Sequence, residues 1–475
     1  MISASWIKYT YRFICIAPIT LAAACQASVD FDGLWKHKGY GDIYQLNDTE
    51  SKIYQFNSEG CVLAETMTKT DMQTTYFPNA TLSHDGMTLT SHQIARPFAQ
   101  QFERLSALPT QCQPGQRLNA NASPVEIYHF FWTTIHDYYA FFQERGIDWA
   151  QVYQQVAPDL SDDMSESELL NAITASLSGF SDDHVVLTYG DNEYAPAPPK
   201  GVLRVLEQGF LNQSEISDFD TYVADRLAQI SLTQQQMMDT GSVRIINGSS
   251  ADTLYGAERV VWGTFNQGKI GYLRPNMMLL DTGENPDDPD QWVSNMAQVI
   301  DQAMQDMRNT ETMIIDMRFN GGGADGVSLA LASRFNPVTQ RVIGKFTRTI
   351  AGDGETHWLD LPTPSNTPAY TRPVTILVSG TTVSAGEVFL MMMKALPQVT
   401  FMGETSSGAL SDALVKTLPN GWQISLSNEV YIDTQYQSYE SIGIQPNIPT
   451  TALTLDDLNH HQDSALTQAI RQLSR

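Results

Sequence analysis

The hydrophobic period of the chain changes along its length. Asp42-Ile43-Tyr44-Gln45-Leu46 and Lys52-Ile53-Tyr54-Gln55-Phe56 alternate apolar and polar positions, with Asn, Asp, Gly and Ser turns between them, the pattern of half-buried strands. This predicts a small β-rich unit over residues 28–118, with His37, His84 and His92 in surface or capping roles. Asn119-Ala120-Asn121-Ala122-Ser123-Pro124 is a polar breaker and predicts a linker. Helical spacing follows: Ser123-Pro124-Val125-Glu126 is an N-cap with proline in the first turn, and aromatic and aliphatic residues recur through Phe142. Further helices are predicted over 149–156, 165–177 and within 214–238, with 194–200 a proline- and alanine-rich loop. Ser178-Gly179-Phe180-Ser181-Asp182-Asp183 is a turn that places His184 at the head of a β-type run. Residues 124–266 thus read as a helical bundle with an insert. From about Gln267 strands and helices alternate to residue 455, the signature of an α/β domain, and 456–475 form a C-terminal helix or tail. Residues 413–426 read as a hairpin around Asn420-Gly421. The fold class is therefore multidomain α+β.

Composition bounds the function. The chain has 475 residues and a net charge of -25, which argues against nucleic acid or an anionic membrane surface as a partner, since both need a basic face. Lys8 and Arg12 precede an apolar run, Phe13 to Ala24, that ends in small residues. This is the layout of a secretory leader over residues 1–27, too short for a comfortable membrane span. Lipid attachment at Cys25 is the minority option, because Leu21 stands one position too far away. Export to a periplasmic or cell-envelope compartment, or secretion, is the expectation. Of the four cysteines, Cys15 and Cys25 lie in or beside the leader. Cys61 and Cys112 remain, and an oxidising compartment favours a disulfide between them over two separate thiols.

Two stretches can carry chemistry. Val374-Thr375-Ile376-Leu377-Val378 is a buried strand, Ser379 to Val383 a small polar turn, and Ser384-Ala385-Gly386-Glu387 opens a helix. A serine at such a junction sits beside outward N–H groups that no helical partner uses, a suitable place for a nucleophile whose intermediate gains negative charge. An N-cap serine would look the same. The second stretch, Thr312 to Asp316, is a buried strand running into Met317-Arg318-Phe319-Asn320-Gly321-Gly322-Gly323. Bare backbone at the C-terminal edge of an α/β sheet can hold a carbonyl oxygen as it gains charge. A tight turn is the plainer reading, and no phosphate-loop pattern occurs.

Asp316-Met317-Arg318-Phe319-Asn320-Gly321-Gly322-Gly323 resembles the Asp-Leu-Arg-x-Asn-x-Gly-Gly motif of the S41 peptidases, the tail-specific or C-terminal processing proteases. Ser379 to Glu387 is similar to the same family's nucleophile segment. Tyr439-Glu440-Ser441-Ile442-Gly443-Ile444-Gln445-Pro446-Asn447 resembles its Glu-Gly-x-Gly-Ile/Val-x-Pro-Asp ending, and Asp183-His184-Val185-Val186-Leu187 its Asp-x-His-Thr-x-Leu segment. The four, in the family's order, run from roughly Pro124 to Thr450. The resemblance implies a ClpP/crotonase-like α/β catalytic domain over 267–455. No glycine-rich carboxylate-binding loop of a PDZ domain occurs. Where processing proteases carry a lysine in a Gly-Lys-Gly element, this chain has Ala409, and neither Lys394 nor Lys416 matches. The tricorn-like branch uses histidine instead. The resemblance then implies Ser384 as nucleophile, His184 as general base and Glu440 assisting it, with an oxyanion hole from the N–H of Gly322 or Gly323 and of Ala385. Such an enzyme hydrolyses peptide bonds in a peptide or protein substrate through an acyl-enzyme and needs no cofactor or metal. A peptide- or apolar-ligand-binding protein on the same scaffold, or an esterase, is the alternative. Glu387 reads as a first-turn acid favoured by the helix dipole.

Overall fold

The computed structural model describes residues 31–248, 258–283, 288–365 and 367–474. The apolar leader, Cys15 and Cys25 lie outside the described residues. Among those described, no helix is long and apolar enough to cross a membrane.

The N-terminal region is a seven-stranded antiparallel sheet. Its alternation buries Trp35, Tyr44, Ile53, Leu89 and Phe102 on one face. The alternating stretches read from sequence are the strands Asp42–Leu46 and Ser51–Phe56. A helix, Lys69–Tyr76, interrupts the strands, capped by Thr68; its weak apolar periodicity hid it. Cys61 and Cys112 are bonded, with Cα atoms 5.1 Å apart. His37 corrects the expectation of a surface histidine. It is buried and stacked between Tyr40 and Phe102, at 3.8 and 4.6 Å between ring centres, and burial pushes it well below 6.5. The 119–124 segment is anchored at its start, where Leu118 N–H donates to Cys61 O.

The helices Pro124–Tyr138, Trp149–Val156 and Glu166–Leu177 follow as the periodicity predicts. The first and third begin with complete capping boxes at Ser123 and Ser165. Their aromatic faces pack into one core with Phe180, Leu187 and the hairpin residues Ile424 and Leu426. That core explains how the histidine region attaches to the C-terminal half. The strand after His184, Val186–Tyr189, pairs antiparallel with the hairpin strand Gln423–Ser427.

The C-terminal α/β region is built on a seven-stranded sheet. Arg244–Asn247, Glu258–Phe265 and Ile270–Pro275 pair antiparallel; Ile270–Pro275 then pairs parallel with Thr312–Asp316, which is followed in parallel by Val374–Val378, Val399–Gly403 and Ile448–Pro449. The helices Pro289–Asp306, Asp325–Ser333 and Ala385–Lys394 cover one face. On the other, Met238 and the C-terminal helix Ser464–Leu473 pack against Tyr272, Ile314, Leu377 and Met402. Every residue of Thr312–Asp316 and Val374–Val378 is buried, as expected of parallel strands covered on both faces. Asp316 is in register with Leu377, so the two candidate stretches leave the sheet side by side at its C-terminal edge. A helix unforeseen from sequence, Gly201–Leu211, packs beside Phe219–Met237.

Candidate active site

The turn after Val378 is tied to the glycine stretch before it reaches Ser384. Ser379 Oγ donates to Arg318 O at 2.6 Å and Thr382 Oγ1 to Met317 O at 2.8 Å. Ser384 caps the helix Ala385–Lys394 at φ 57° and ψ -130°, an uncommon conformation for a residue with a Cβ. Its N–H donates to Ala409 O at 2.8 Å, and its C=O accepts from Glu387 and Val388. Its side chain makes no cap hydrogen bond. The N-cap role that the sequence allowed is thus filled by the backbone alone, and the hydroxyl is left uncommitted among the described residues.

Gly322, at φ 90°, lies directly against this serine: an added Cβ would come within 2.7 Å of Ser384 Cβ. Gly323, at φ 140°, presses on the Met278 backbone, with 2.4 Å from an added Cβ to Met278 O. Gly322 N–H donates to Asn320 Oδ1 at 3.0 Å. This narrows the expected oxyanion donors: Gly322 is engaged, whereas neither Gly323 nor Ala385 has an N–H partner among the described residues. Gly322→Ala combines a clash with an unfavourable φ. We expect it to lower turnover by about a hundredfold and stability by about 1–3 kcal/mol, read from peptide cleavage and thermal melts; unchanged turnover would contradict this packing.

His184 is buried, its N–H donates to Asp182 Oδ1 at 3.0 Å and its C=O accepts from Ser425 Oγ at 2.7 Å. Nδ1 is buried without a hydrogen-bond partner. Burial pulls the imidazole below 6.5, opposed by the charges of Asp182, Asp183 and Asp412. Glu440 is buried too and makes no hydrogen bond to His184. One of its oxygens accepts from Arg145 Nη2 at 2.7 Å and the other from Leu410 N–H at 2.8 Å and Ser411 N–H at 3.2 Å. Burial and the nearby Asp182 push Glu440 upward, and Arg145 opposes them. Arg145 reaches Asp182 Oδ2 at 3.4 Å. The link between Glu440 and His184 therefore runs through Arg145 and Asp182.

The segment 406–411 joins these pieces. Ser407 N–H donates to Thr382 O, Ala409 O receives Ser384 N–H, Gly408 O receives Arg145 Nη2, and Leu410 and Ser411 hold Glu440. Glu387 fixes its shape: one oxygen accepts from Ser406 Oγ and Gly408 N–H, the other from Ala409 N–H, at 2.6–2.8 Å. Burial pushes Glu387 up to about 7 against those donors. Glu387 is in the first turn as read from sequence, and it is also a buried brace. Arg145 escaped notice, because a lone arginine after an aromatic helix carries no motif, and Asp182 was legible only as a turn residue. Of the lysines weighed against Ala409, Lys416 is buried with Asp42 at 2.6 Å and Lys394 lies over the Tyr439 ring at 5.5 Å. The structure packs Gly322 against Ser384 and draws Glu440, and Asp183 next to His184, to the 406–411 segment. No hydrogen bond joins Ser384 Oγ to His184.

Residues 269–450 match the model of peptidase family S41, and residues 120–174 match that of the tricorn protease C1 domain. Among solved structures, a putative peptidase from Parabacteroides merdae ATCC 43184 is similar at 22% identity and a TM-score of 0.57, covering 74% of this chain and 97% of its own. Mature CPAF is similar at 14% identity and a TM-score of 0.51, covering 74% and 97%. Its complex with lactacystin gives 13% identity and a TM-score of 0.50, covering 74% and 98%. These structural likenesses are of fold. The family match covers the domain that carries both the glycine stretch and Ser384, and it makes residues 269–450 a peptidase family S41 domain, that of a serine-type peptidase.

Proposed function

We propose that Ser384 is the nucleophile, His184 the general base and Glu440 an indirect assistant in peptide-bond hydrolysis through an acyl-enzyme. Ser384 Oγ bonds to the substrate carbonyl carbon as His184 takes the hydroxyl proton. The carbonyl oxygen gains charge facing the free N–H groups of Gly323 and Ala385. The C–N bond then breaks, the amine leaves with the proton from His184, and water releases the acyl group by the same route reversed. Glu440 works by holding Arg145 and the 408–411 segment, and Asp182 is the carboxylate nearest the histidine backbone. The observation that carries this reading is the uncommitted Ser384 hydroxyl, held at positive φ beside two unpartnered N–H groups.

A fluorophosphonate probe should form its adduct on Ser384, mapped by mass spectrometry, with parallel cleavage of peptides. A folded protein that yields no adduct there would sink the reading, and ester turnover without peptide turnover would favour an esterase. The neutral imidazole is the working base, and burial disfavours its cation, so activity should persist below the ordinary histidine value. The acid limb of kcat/KM is expected under 6.5; a limb above it would argue against His184. Export to the periplasm or cell envelope belongs to the same proposal, supported by the leader layout and the bonded Cys61–Cys112 pair.

A further inference from the structure

We propose that Lys200 is a positioning residue: it clasps the turn that carries His184 to the loops that carry Ser384. The inference rests on the reading of those two residues as base and nucleophile. Lys200 precedes the helix Gly201–Leu211, in the stretch that reads from sequence as a plain loop. Its Nζ donates to Asp183 Oδ2 at 2.9 Å, Ser407 Oγ at 3.0 Å, Ser407 O at 3.2 Å and Ser181 O at 3.3 Å. The Ser407 hydroxyl also donates to Asp183. Asp183 immediately precedes His184, so one ammonium grips the histidine turn from both Ser181 and Asp183.

The same residue touches the nucleophile turn through its backbone. Lys200 C=O accepts from Thr381 Oγ1 at 3.2 Å. Gly201 follows at φ 51°, and an added Cβ would lie 2.5 Å from Gly380 N. Ser407, the third element in the grip, donates its N–H to Thr382 O at 3.0 Å, and two residues later Ala409 O receives Ser384 N–H. Lys200 thus contacts the histidine turn, the 379–384 turn and the 406–411 segment at once. These lie far apart in sequence and belong to different parts of the fold. An ammonium suits this place because it is a compact charge with three donors, here facing a carboxylate, two carbonyls and a hydroxyl. With its donors committed to these acceptors, Lys200 is a tether and not a substitute for the lysine that Ala409 replaces. The side chain is about a quarter exposed, 26%, so the clasp sits at the rim where solvent reaches it.

The test compares the full-length protein with Lys200→Met and Lys200→Arg. The fluorophosphonate labelling rate at Ser384 reports the chemistry, and hydrogen exchange over 181–185 and 404–410 reports the clasp. Lys200→Met should slow labelling about tenfold, lower kcat while changing KM little, and speed exchange in both segments but not in Val374–Val378. Lys200→Arg, which keeps charge and donors, should recover most of the rate. Labelling and exchange at wild-type levels in Lys200→Met would overturn the proposal while leaving the Ser384 reading intact. Altered exchange with no labelling of Ser384 even in the wild type would instead overturn that reading, and the positioning role with it. If Lys200→Met fails to fold, Asp183→Asn removes the charge partner with little change in volume; it should slow labelling too, and an unchanged rate overturns the clasp.

Discussion

Ser384→Ala is expected to lower peptide turnover by about 10⁴-fold or more and to abolish the fluorophosphonate adduct. The fold should be untouched, and the backbone explains why. Ser384 caps its helix with no side-chain hydrogen bond, so alanine loses no cap. Its φ of 57° strains alanine as much as serine, so the melting temperature should barely move. Ser384→Gly is the informative companion: it should also be inactive, yet gain about 1 kcal/mol in stability because glycine carries no penalty at positive φ. Inactivity with raised stability is what strain held at a functional residue predicts. Retained turnover in Ser384→Ala would remove the nucleophile assignment, and loss of stability in Ser384→Gly would show that the positive φ is not strained. Both are read by peptide turnover and calorimetry.

The second large effect is on folding. Arg318 is fully buried between two carboxylates, bonding Asp316 through Nε at 2.9 Å and Nη2 at 2.6 Å, and Asp463 through Nη1 at 2.9 Å and Nη2 at 2.7 Å. Arg318→Met leaves both acids buried without a counter-charge, and the expected loss is about 3–5 kcal/mol, measured by urea unfolding. A variant as stable as the wild type would contradict this account. Asp463 caps the helix Ser464–Leu473, so the cluster also fastens the C-terminal helix to the strand that leads into the glycine stretch. Burial opposes ionisation of Asp463, but Arg318 and its other donors hold it below 3.8. Its contribution is therefore complete above that value and is lost as pH falls through the lowered one. Acid unfolding should accordingly release the C-terminal helix and loosen the 317–323 loop together.

Much of this protein was legible without coordinates where a local pattern and its environment agree. The strands that lead into the glycine stretch and into the Ser384 turn are continuous apolar runs because both faces are covered. The capping boxes at Ser123 and Ser165 mark their helices because an N-terminus must satisfy its own N–H groups. The hairpin around Asn420-Gly421 follows from turn chemistry. The misses have equally local causes. Lys69–Tyr76 has few apolar positions, burying only Met72, so no stripe announced it. Gly201–Leu211 starts at a glycine without a side-chain cap, so its beginning resembled the loop before it. His37 is placed by its partners across the sheet, which a lone histidine in sequence cannot reveal.

By itself the sequence determined the order of elements and the apolar strands, and it offered candidates for the reactive groups, because these depend on neighbours a few positions away. Which groups meet was decided only by the tertiary structure. Gly322 N–H went to Asn320, Glu440 to Arg145 and Glu387 to the 406–409 segment, since a buried polar group binds whatever partner packing brings within reach. The histidine region reaches the nucleophile domain through a shared core, through the pairing of 423–425 with 186–188, through Arg145 and through Lys200. Contacts between residues some two hundred positions apart leave no periodic trace in the chain, and so candidate groups could be named in advance while their wiring could not.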